Sequence, residues 1–264
     1  MNIGLIIIGD EILSGKRRDK HLPKVIELLA ARGLALAWAR YVGDERARIT
    51  EALQYAFASG ELVFSCGGIG ATPDDHTRQC AAAALGVPLE LHGEAKALII
   101  ERMRDTAAEQ GVVFDPERPD NRHRLNMGMF PAGAAIVPNP YNKIPGFSVA
   151  DVHFVPGFPV MAWPMIEWLL DQRYAHLQGG ARQQEHSLIV FGGMEATLTP
   201  LMEDIEARFA GVKVFSLPSV DHPEYGRHIE LGVKGSGDGL EAAFAALHGG
   251  LLALGVSLGP EIVR

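Results

Sequence analysis

The chain has 264 residues, of which 47% are hydrophobic and 21% are charged, and its formal net charge is −8. This is the composition of a globular protein, and its acidic balance is unfavourable for binding nucleic acid or an anionic membrane. Two cysteines exclude a disulfide framework and a zinc site built of thiolates. The first apolar run, 3–8, is too short for a signal peptide or a membrane span, so we expect a soluble cytoplasmic protein.

Strand and helix patterns alternate along the first half of the chain. A continuous apolar run predicts a strand covered on both faces at 3–8, and further strands are predicted at 35–42 and 62–66. Apolar residues at helical spacing predict helices, at 19–31, 49–57, 78–85 and 94–110. This order predicts an α/β fold, with three α/β/α layers around a mostly parallel sheet, in which ligands bind beyond the carboxyl ends of the strands.

The segment 115–146 is rich in proline, asparagine, arginine and glycine, and we interpret it as long loops around a short strand at 134–137. A hairpin across Ala150 and Asp151 and a helix through Leu170 follow. Gln178-Gly179-Gly180 is typical of a linker. We therefore place the boundaries of two domains at 1–175 and 183–264.

The second domain is predicted to be a small α+β layer of ferredoxin-like or KH-like type. The order is β-α-β-β-α, with strands at 186–191, 212–217 and 228–233 and helices at 196–209 and 239–247. An RNA-binding KH module needs a Gly-x-x-Gly loop, which Gly192-Gly193 does not supply. The sequence therefore predicts no nucleic-acid partner.

The strongest motif lies between the third strand and the next helix, where 65–77 reads SCGGIGATPDDHT. Gly67, Gly68 and Gly70 permit positive φ and let backbone N–H groups approach a phosphate. Thr72 suits a helix N-cap, with Pro73 at the first helical position and Asp75 in reciprocal capping, and a helix N-terminus attracts anions. A tight turn before a well-capped helix is the alternative interpretation.

Acidic residues follow three of the predicted strands. Asp10 and Glu11 come after the first strand, Asp44 after the second, and Asp74 and Asp75 after the third. Parallel strands bring these loops to one edge, and oxygen ligands there suit Mg²⁺. Carboxylates beside a phosphate also require a cation between them, which favours a metal-bridged phosphate or an acid/base role. A solvated turn is the alternative for Asp10 and Glu11.

Two later turns add candidate ligand contacts. In 138–146, Asn139 could contact a polar ring edge and Lys143 a phosphate, although a proline-stiffened loop explains the pattern equally well. Gly157 opens a second strand-to-helix turn in Pro156-Gly157-Phe158-Pro159. Basic residues in the long loop, among them His123, could meet a substrate phosphate or simply be solvated.

Taken in order, five of these motifs resemble the molybdopterin-binding MoaB/Mog domain family. They are GDEILSG at 9–15, VGD at 42–44, GGIGATPDDHT at 67–77, PNP at 138–140 and PGFP at 156–159. Within that family, the chain is most similar to stand-alone relatives of the N-terminal half of the competence-damage protein CinA. The segment after the linker resembles the small domain that follows in CinA-type chains. The deamidase domain of longer CinA proteins is absent, so nicotinamide-nucleotide deamidation is not expected.

The resemblance implies a metal-dependent hydrolase that cleaves the pyrophosphate of ADP-ribose or a similar dinucleotide. The implied cation, Mg²⁺ or Co²⁺, would be held by Asp10, Glu11, Asp44 and Asp74. The implied ligand contacts are Gly67, Gly68, Gly70, Thr72, Thr77, Asn139, Lys143 and Gly157. The implied catalytic carboxylates are Asp75, Asp74 and Asp44, with Asp75 as the essential one.

Two other functions are compatible with the same residues. One is a protein that binds molybdopterin or its adenylylated form, and the other is a non-catalytic binding or assembly module. In each case the partner is a nucleotide or a pterin, and the family resemblance implies a homo-oligomer.

The chain departs from the family pattern at three places. Lys20-His21 stands where Thr-Asn is usual, and Ala71 stands where proline is usual. The segment 142–146 reads NKIPG instead of Gly-Thr-Ala-Pro-Gly. The last change is expected to place a bulky, charged loop against the ligand pocket. Together with Lys20-His21, this loop is the basis for the non-catalytic hypothesis, in which the site has been lost.

Overall fold

The computed structural model describes residues 1–179, 184–235, 237 and 239–264. The chain forms two compact units, Met1–Gln178 and Gly179–Arg264. Gly180, in the predicted linker, and Gln183, at the predicted start of the second domain, lie outside the described residues. The predicted boundaries 1–175 and 183–264 stay a prediction.

The first unit alternates strands and helices. Its strands are β1 Ile3–Ile8, β2 Trp38–Val42, β3 Leu62–Cys66, β4 Leu89–Leu91, β5 Met129–Pro131, β6 Ala135–Val137, β7 Gly146–Val149 and β8 Val152–Val155. Its α-helices are α1 Asp10–Leu13, α2 His21–Ala30, α3 Arg46–Ser59, α4 Thr77–Leu85, α5 Gly93–Glu109, α6 Pro119–Arg124 and α7 Pro159–Gln172. Short 3-10 turns occur at Leu125–Gly128 and Ala175–Leu177.

The main sheet has the order β2-β1-β3-β8-β7-β6. Its first four strands are mutually parallel, and β7 runs antiparallel to both of its neighbours. Helices α2 and α7 pack on one face, and α3, α4 and α5 pack on the other. All six residues of β1 are buried, which is why that strand reads as an unbroken apolar run. The predicted three-layer α/β fold is confirmed.

The segment predicted as long loops contains more regular structure than expected. Helix α6 lies within it, and β5 pairs with β4 apart from the main sheet. Pro119 occupies the first turn of α6, where its missing N–H costs no hydrogen bond. The sequence did not predict α6 because this helix is short and polar. It has almost no buried face, and its residues show no apolar periodicity.

A buried hydrogen-bond chain ties the β7–β8 hairpin to the end of α7. His153 Nδ1 lies 2.6 Å from Ser148 Oγ, and His153 Nε2 lies 2.6 Å from the Tyr174 hydroxyl. That hydroxyl donates to Asp151 Oδ1 at 2.7 Å. A neutral His153 satisfies every group: Nδ1 accepts from Ser148, and Nε2–H donates to Tyr174. Burial raises the pKa of Tyr174, so its phenol keeps the proton that it donates.

The second unit contains β9 Gln184–Phe191, α8 Glu195–Arg208, β10 Lys213–His222, β11 Gly226–Gly235, α9 Gly239–Ala253 and β12 Ser257–Val263. Its antiparallel sheet has the order β10-β11-β9-β12, which is the ferredoxin-like arrangement of a β-α-β-β-α-β chain. Strand β12 is absent from the predicted elements, because Gly259-Pro260 interrupts its sequence pattern. The register of β12 against β9 shifts between Leu258 and Glu261, and this irregularity accommodates the interruption.

Candidate functional site

A cavity of about 710 Å³, called the main cavity below, lies beyond the carboxyl ends of β1, β3 and β8. This is the edge of the sheet at which the topology predicts ligand binding. The lining residues belong to the turns after these strands, to the turn after β2 and to two loops. They are Ile8, Gly9, Glu11, Lys16, Arg17, Asp44, Gly67–Thr72, Asp74, Asp75, Met127, Asn139, Asn142, Ile144, Pro145, Pro156–Phe158 and Met161.

The glycine loop after β3 presents backbone donors to the main cavity. Gly67 and Gly68 have φ of +107 and +68, in the region where side chains are strained. A Cβ on Gly67 would overlap the carbonyl oxygen of Ile8, and one on Gly68 would overlap Thr77 Oγ1. Within the described part of the chain, the N–H groups of 68–71 donate to no protein acceptor. Several such N–H groups in one loop form an anion-binding concavity.

The predicted cap of α4 is wrong, because α4 begins at Thr77 and follows His76. Thr72 instead belongs to a separate turn, in which Asp75 Oδ2 accepts from Thr72 N at 2.9 Å and from Thr72 Oγ1 at 2.6 Å. The reciprocal contact to Asp75 exists, but it closes this turn and not the helix. One oxygen of the proposed catalytic carboxylate is therefore already engaged.

Two buried side chains hold the glycine loop from behind. Thr77 is fully buried and its hydroxyl donates to the Gly67 carbonyl at 3.0 Å, so it braces the loop and is not directed at a phosphate as predicted. Arg78 is 2% exposed and donates to the carbonyl oxygens of Ile69 and Gly70. Burial lowers the pKa of Arg78 to about 10. The sequence carried no signal for this role, because an arginine in the first turn of a helix normally faces solvent.

The acidic loops meet at the carboxyl edge. Asp10 N–H donates to Asp44 Oδ2 at 3.0 Å, and Asp44 N–H donates to Asp10 Oδ1 at 3.1 Å. Burial raises the pKa of Asp44, and the charges of Asp10, Glu11 and Asp74 act in the same direction. Over the described ranges, no three His, Cys, Asp or Glu residues form a ready set of metal ligands. The carboxylates are gathered, but their role as metal ligands stays a prediction.

The loop that departs from the family pattern turns its charge away from the main cavity. Lys143 Nζ donates to Glu101 Oε1 at 2.6 Å and to Asp105 Oδ2 at 2.7 Å, both on α5, so its predicted contact with phosphate is wrong. The side-chain amide of Asn139 donates one hydrogen bond to Asn142 Oδ1 and one to the Ile144 carbonyl oxygen. Asn139 therefore braces this loop, although it also lines the cavity.

His21, at the first departure from the family pattern, supports the turn that contains Gly157. Its Nε2 donates to the Gly157 carbonyl at 2.9 Å, and its side chain is buried. Gly157 lines the main cavity as predicted for a ligand contact, and a Cβ there would lie 3.5 Å from the Cα of Gly67. His21 thus positions the turn, but it does not line the cavity.

Two cations at the main cavity were missed from the sequence. Lys16 and Arg17 line it and are exposed to solvent. The signal was the basic run Lys16-Arg17-Arg18, directly after the acidic loop at 9–15. Four apolar side chains, called the apolar wall below, also line the cavity: Met127, Ile144, Phe158 and Met161. The main cavity therefore combines backbone donors, carboxylates, cations and an apolar wall.

Comparisons with known proteins find similarity to a molybdopterin-binding domain and to CinA-like proteins. A family model described as a probable molybdopterin binding domain matches residues 4–176. A CinA-like protein of Anaeromyxobacter sp. (strain Fw109-5) is 32% identical over 213 residues, which cover 77% of this chain and 49% of that protein. A protein of Caldivirga maquilingensis is 29% identical over 90% of both chains. The crystal structure of CinA from Thermoplasma acidophilum, a protein of unknown function, matches with a TM-score of 0.55 at 25% identity, covering 65% of this chain and 98% of that one.

The chain spans about half the length of the curated CinA-like relatives that it matches. Two of them are covered to 49% and 51% of their length. Their whole-protein activities therefore do not transfer to this chain through the comparison.

Proposed function

This chain belongs to the family of probable molybdopterin binding domains and is related to the CinA-like proteins, as its motifs predicted, and we propose that its main cavity binds a molybdopterin-type ligand. The observation that carries the proposal is that N–H groups at 68–71 without a protein acceptor among the described residues and an apolar wall line the same cavity. A molybdopterin has the matching parts, a phosphate at one end and a flat pterin ring at the other.

The glycine loop and the two cations fit the phosphate end. Backbone N–H groups approach an anion closely because Gly67 and Gly68 place no side chain in the way. Lys16 and Arg17 would add charge-assisted hydrogen bonds, which are about twice as strong as neutral ones. Lys143 plays no part in this contact, because its ammonium is held by two carboxylates of α5.

The remaining walls fit a pterin ring. Phe158 and Met127 offer apolar surface against which a flat heterocycle can stack. The ring also carries neighbouring N–H donors, for which the carboxylates of Glu11 and Asp44 are suitable acceptors. At about 710 Å³, the cavity falls within the range of small-molecule sites. Asn142 and Ile144 line it without filling it, so there is room for a ligand beside the unusual loop.

Binding of a phosphorylated pterin tests the proposal. We expect the Lys16→Ala/Arg17→Ala double variant to bind it at least about tenfold more weakly than the wild type, because two charged contacts are lost. The matched control is Lys143→Ala, which removes a cation outside the cavity and should leave the Kd unchanged. Isothermal titration calorimetry on the full chain measures both.

Either of two results would overturn this function. One is a wild-type chain that does not bind the phosphorylated pterin. The other is a double variant that binds as tightly as the wild type. Preference for ADP-ribose over the pterin would favour the second candidate instead.

The second candidate is a metal-dependent pyrophosphatase acting on ADP-ribose or a similar dinucleotide. One observation favours it: the charges of Asp10, Glu11 and Asp74 all bear on the half-buried Asp44, and Mg²⁺ or Co²⁺ would relieve that repulsion. A bound cation would activate water and stabilise the developing charge. Against this, Asp10, Asp44 and Asp75 already accept hydrogen bonds within the chain.

Hydrolysis of ADP-ribose with and without Mg²⁺ or Co²⁺ tests this candidate. If the chain is such an enzyme, Asp44→Asn and Asp75→Asn are each expected to lower the cation-dependent rate at least about a hundredfold. The control is Asp105→Asn on α5, which contacts Lys143 outside the cavity and should retain the rate. A wild-type chain with no cation-dependent turnover would remove this candidate and leave pterin binding as the function.

Two wider expectations remain proposals. Within the described ranges, none of the helices combines the length and apolar character that crossing a bilayer requires. The cytoplasmic location expected from the sequence and the self-association implied by the family resemblance both stay proposals. The non-catalytic assembly role would require that neither pterin nor ADP-ribose binds to the main cavity.

A further inference from the structure

A second depression, called the basic cleft below, lies on the other side of the Ala71–Asp75 turn from the main cavity. Its volume is about 460 Å³. It shares Ala71, Thr72 and Asp75 with the main cavity, while most of its other lining residues come from α3, from α4, from β4 and from the segment 123–129, which runs from α6 to β5. Four separate parts of the fold therefore converge on a space that the proposed function does not use.

The residues that line the basic cleft include two arginines, Arg46 and Arg78, and two histidines, His76 and His123. Asp75 is the carboxylate among the lining residues. Asp75 Oδ2 is already engaged by Thr72. The cleft thus carries an excess of positive charge in a chain whose net charge is −8.

Arg78 provides an independent indication that the basic cleft takes an anion. Its side chain is 2% exposed, and among the described residues no carboxylate lies within salt-bridge distance of it, so that the charge of Asp75 acts on it only from farther away. Its buried Nε has no hydrogen-bond acceptor in the same part of the chain. A buried guanidinium usually has a compensating anion, because desolvating an unpaired charge is costly.

We propose that the basic cleft is a phosphate-binding site, distinct from the main cavity, in which Arg46 and His123 contact a phosphate dianion and the buried charge of Arg78 is compensated. Guanidinium groups match phosphate oxygens with paired N–H donors. An imidazole N–H can donate a further hydrogen bond to the same anion. The site would accept inorganic phosphate or the terminal phosphate of a phosphomonoester.

The nature of the polar lining favours phosphate over an uncharged ligand. Asn126 and Gln79 add amide groups to the arginines and histidines of the lining, and Leu89 and Met129 are among its apolar contacts. Arg46 and Arg78 lie in the first turns of α3 and α4, where the helix dipoles also favour negative charge. The inference stands whatever the main cavity binds, because no residue of the apolar wall takes part.

Titration of the full chain with inorganic phosphate, followed by the ring signals of its histidines in NMR spectra, tests the inference. The His76 and His123 signals, assigned with His76→Gln and His123→Gln, are expected to shift saturably at up to about 10 mM phosphate. Arg46→Ala should weaken the apparent affinity roughly tenfold. Arg48→Ala, which removes the same charge from the same helix outside the cleft, should leave the affinity unchanged.

The Lys16→Ala/Arg17→Ala variant separates this site from the main cavity. We expect the phosphate shifts of His76 and His123 to persist in it, even if pterin binding is lost. Tighter binding of AMP than of phosphate would identify a phosphomonoester as the occupant, and equal or weaker binding would identify the free ion. Absence of saturable shifts, or equal affinity in Arg46→Ala and the wild type, would overturn the proposal.

Discussion

Replacing Gly67 by alanine is expected to lower the free energy of unfolding of the first unit by at least about 3 kcal/mol and to abolish binding in the main cavity. Gly67 has φ +107, and an added Cβ would overlap the carbonyl oxygen of Ile8. That oxygen belongs to the last residue of β1, so it cannot move aside without shifting the strand. The glycine loop would be displaced with it, and its N–H groups would no longer converge.

Denaturant unfolding followed by tryptophan fluorescence measures this change in the first unit alone, because Trp38, Trp163 and Trp168 all lie there. The matched control is Gly86→Ala. Gly86 has φ +68 at the end of α4, with no atom within 4 Å of an added Cβ, so only backbone strain of about 1 kcal/mol is expected. If Gly67→Ala and Gly86→Ala lowered the free energy of unfolding equally, the overlap at Gly67 would be contradicted. An unchanged ligand Kd in Gly67→Ala would contradict the role of the glycine loop in binding.

Acidification is expected to destabilise the first unit from about pH 6.5 downward, because the buried ring of His153 remains neutral in the folded chain. Burial lowers the pKa of His153 from 6.5 to about 3, and the charge of Arg173 acts in the same direction. In this window the unfolded chain binds a proton that the folded chain does not. The contribution of His153 to stability therefore falls by about 1.4 kcal/mol for each pH unit.

The measurement is the free energy of unfolding between pH 7 and pH 5, again from tryptophan fluorescence. His153→Gln keeps a hydrogen-bonding side chain in the buried network but cannot titrate. It should cost about 1–3 kcal/mol at pH 7 and show a flatter dependence on pH. A slope as steep in His153→Gln as in the wild type would show that another group is responsible.

The sheet and the position of the site could be predicted because both depend on local signals. Apolar runs of strand length and helical spacing identified the elements, and parallel strands necessarily bring the loops that follow them to one edge. This is why Asp10, Asp44 and Asp74 were expected together, and they interact in the structure. The predicted cap at Thr72 was wrong by a few residues, since its reciprocal contact with Asp75 can close a turn as well as a helix.

The directions of long charged side chains could not be predicted, because distant parts of the chain decide them. Lys143 follows a motif expected at the pocket, yet carboxylates at Glu101 and Asp105 on α5 draw its ammonium elsewhere. Arg78 is buried because the carbonyls of the glycine loop accept its hydrogens, an arrangement that exists only after β3 and α4 have packed. Lys16 belongs to a basic run that is visible in the sequence, but its position at the main cavity depends on the folded loops around it.

The reciprocal hydrogen bonds between Asp10 and Asp44 have a consequence for ion affinity. Each carboxylate secures the amide of the other, so an ion that displaced either hydrogen bond would release an N–H group to exchange with water. Occupancy by an ion and rigidity of these two turns are therefore competing states. In a chain with these reciprocal hydrogen bonds, a bound cation would be detected first as faster exchange of the amide hydrogens of residues 10 and 44. This exchange would precede any change in the reactivity of the carboxylates.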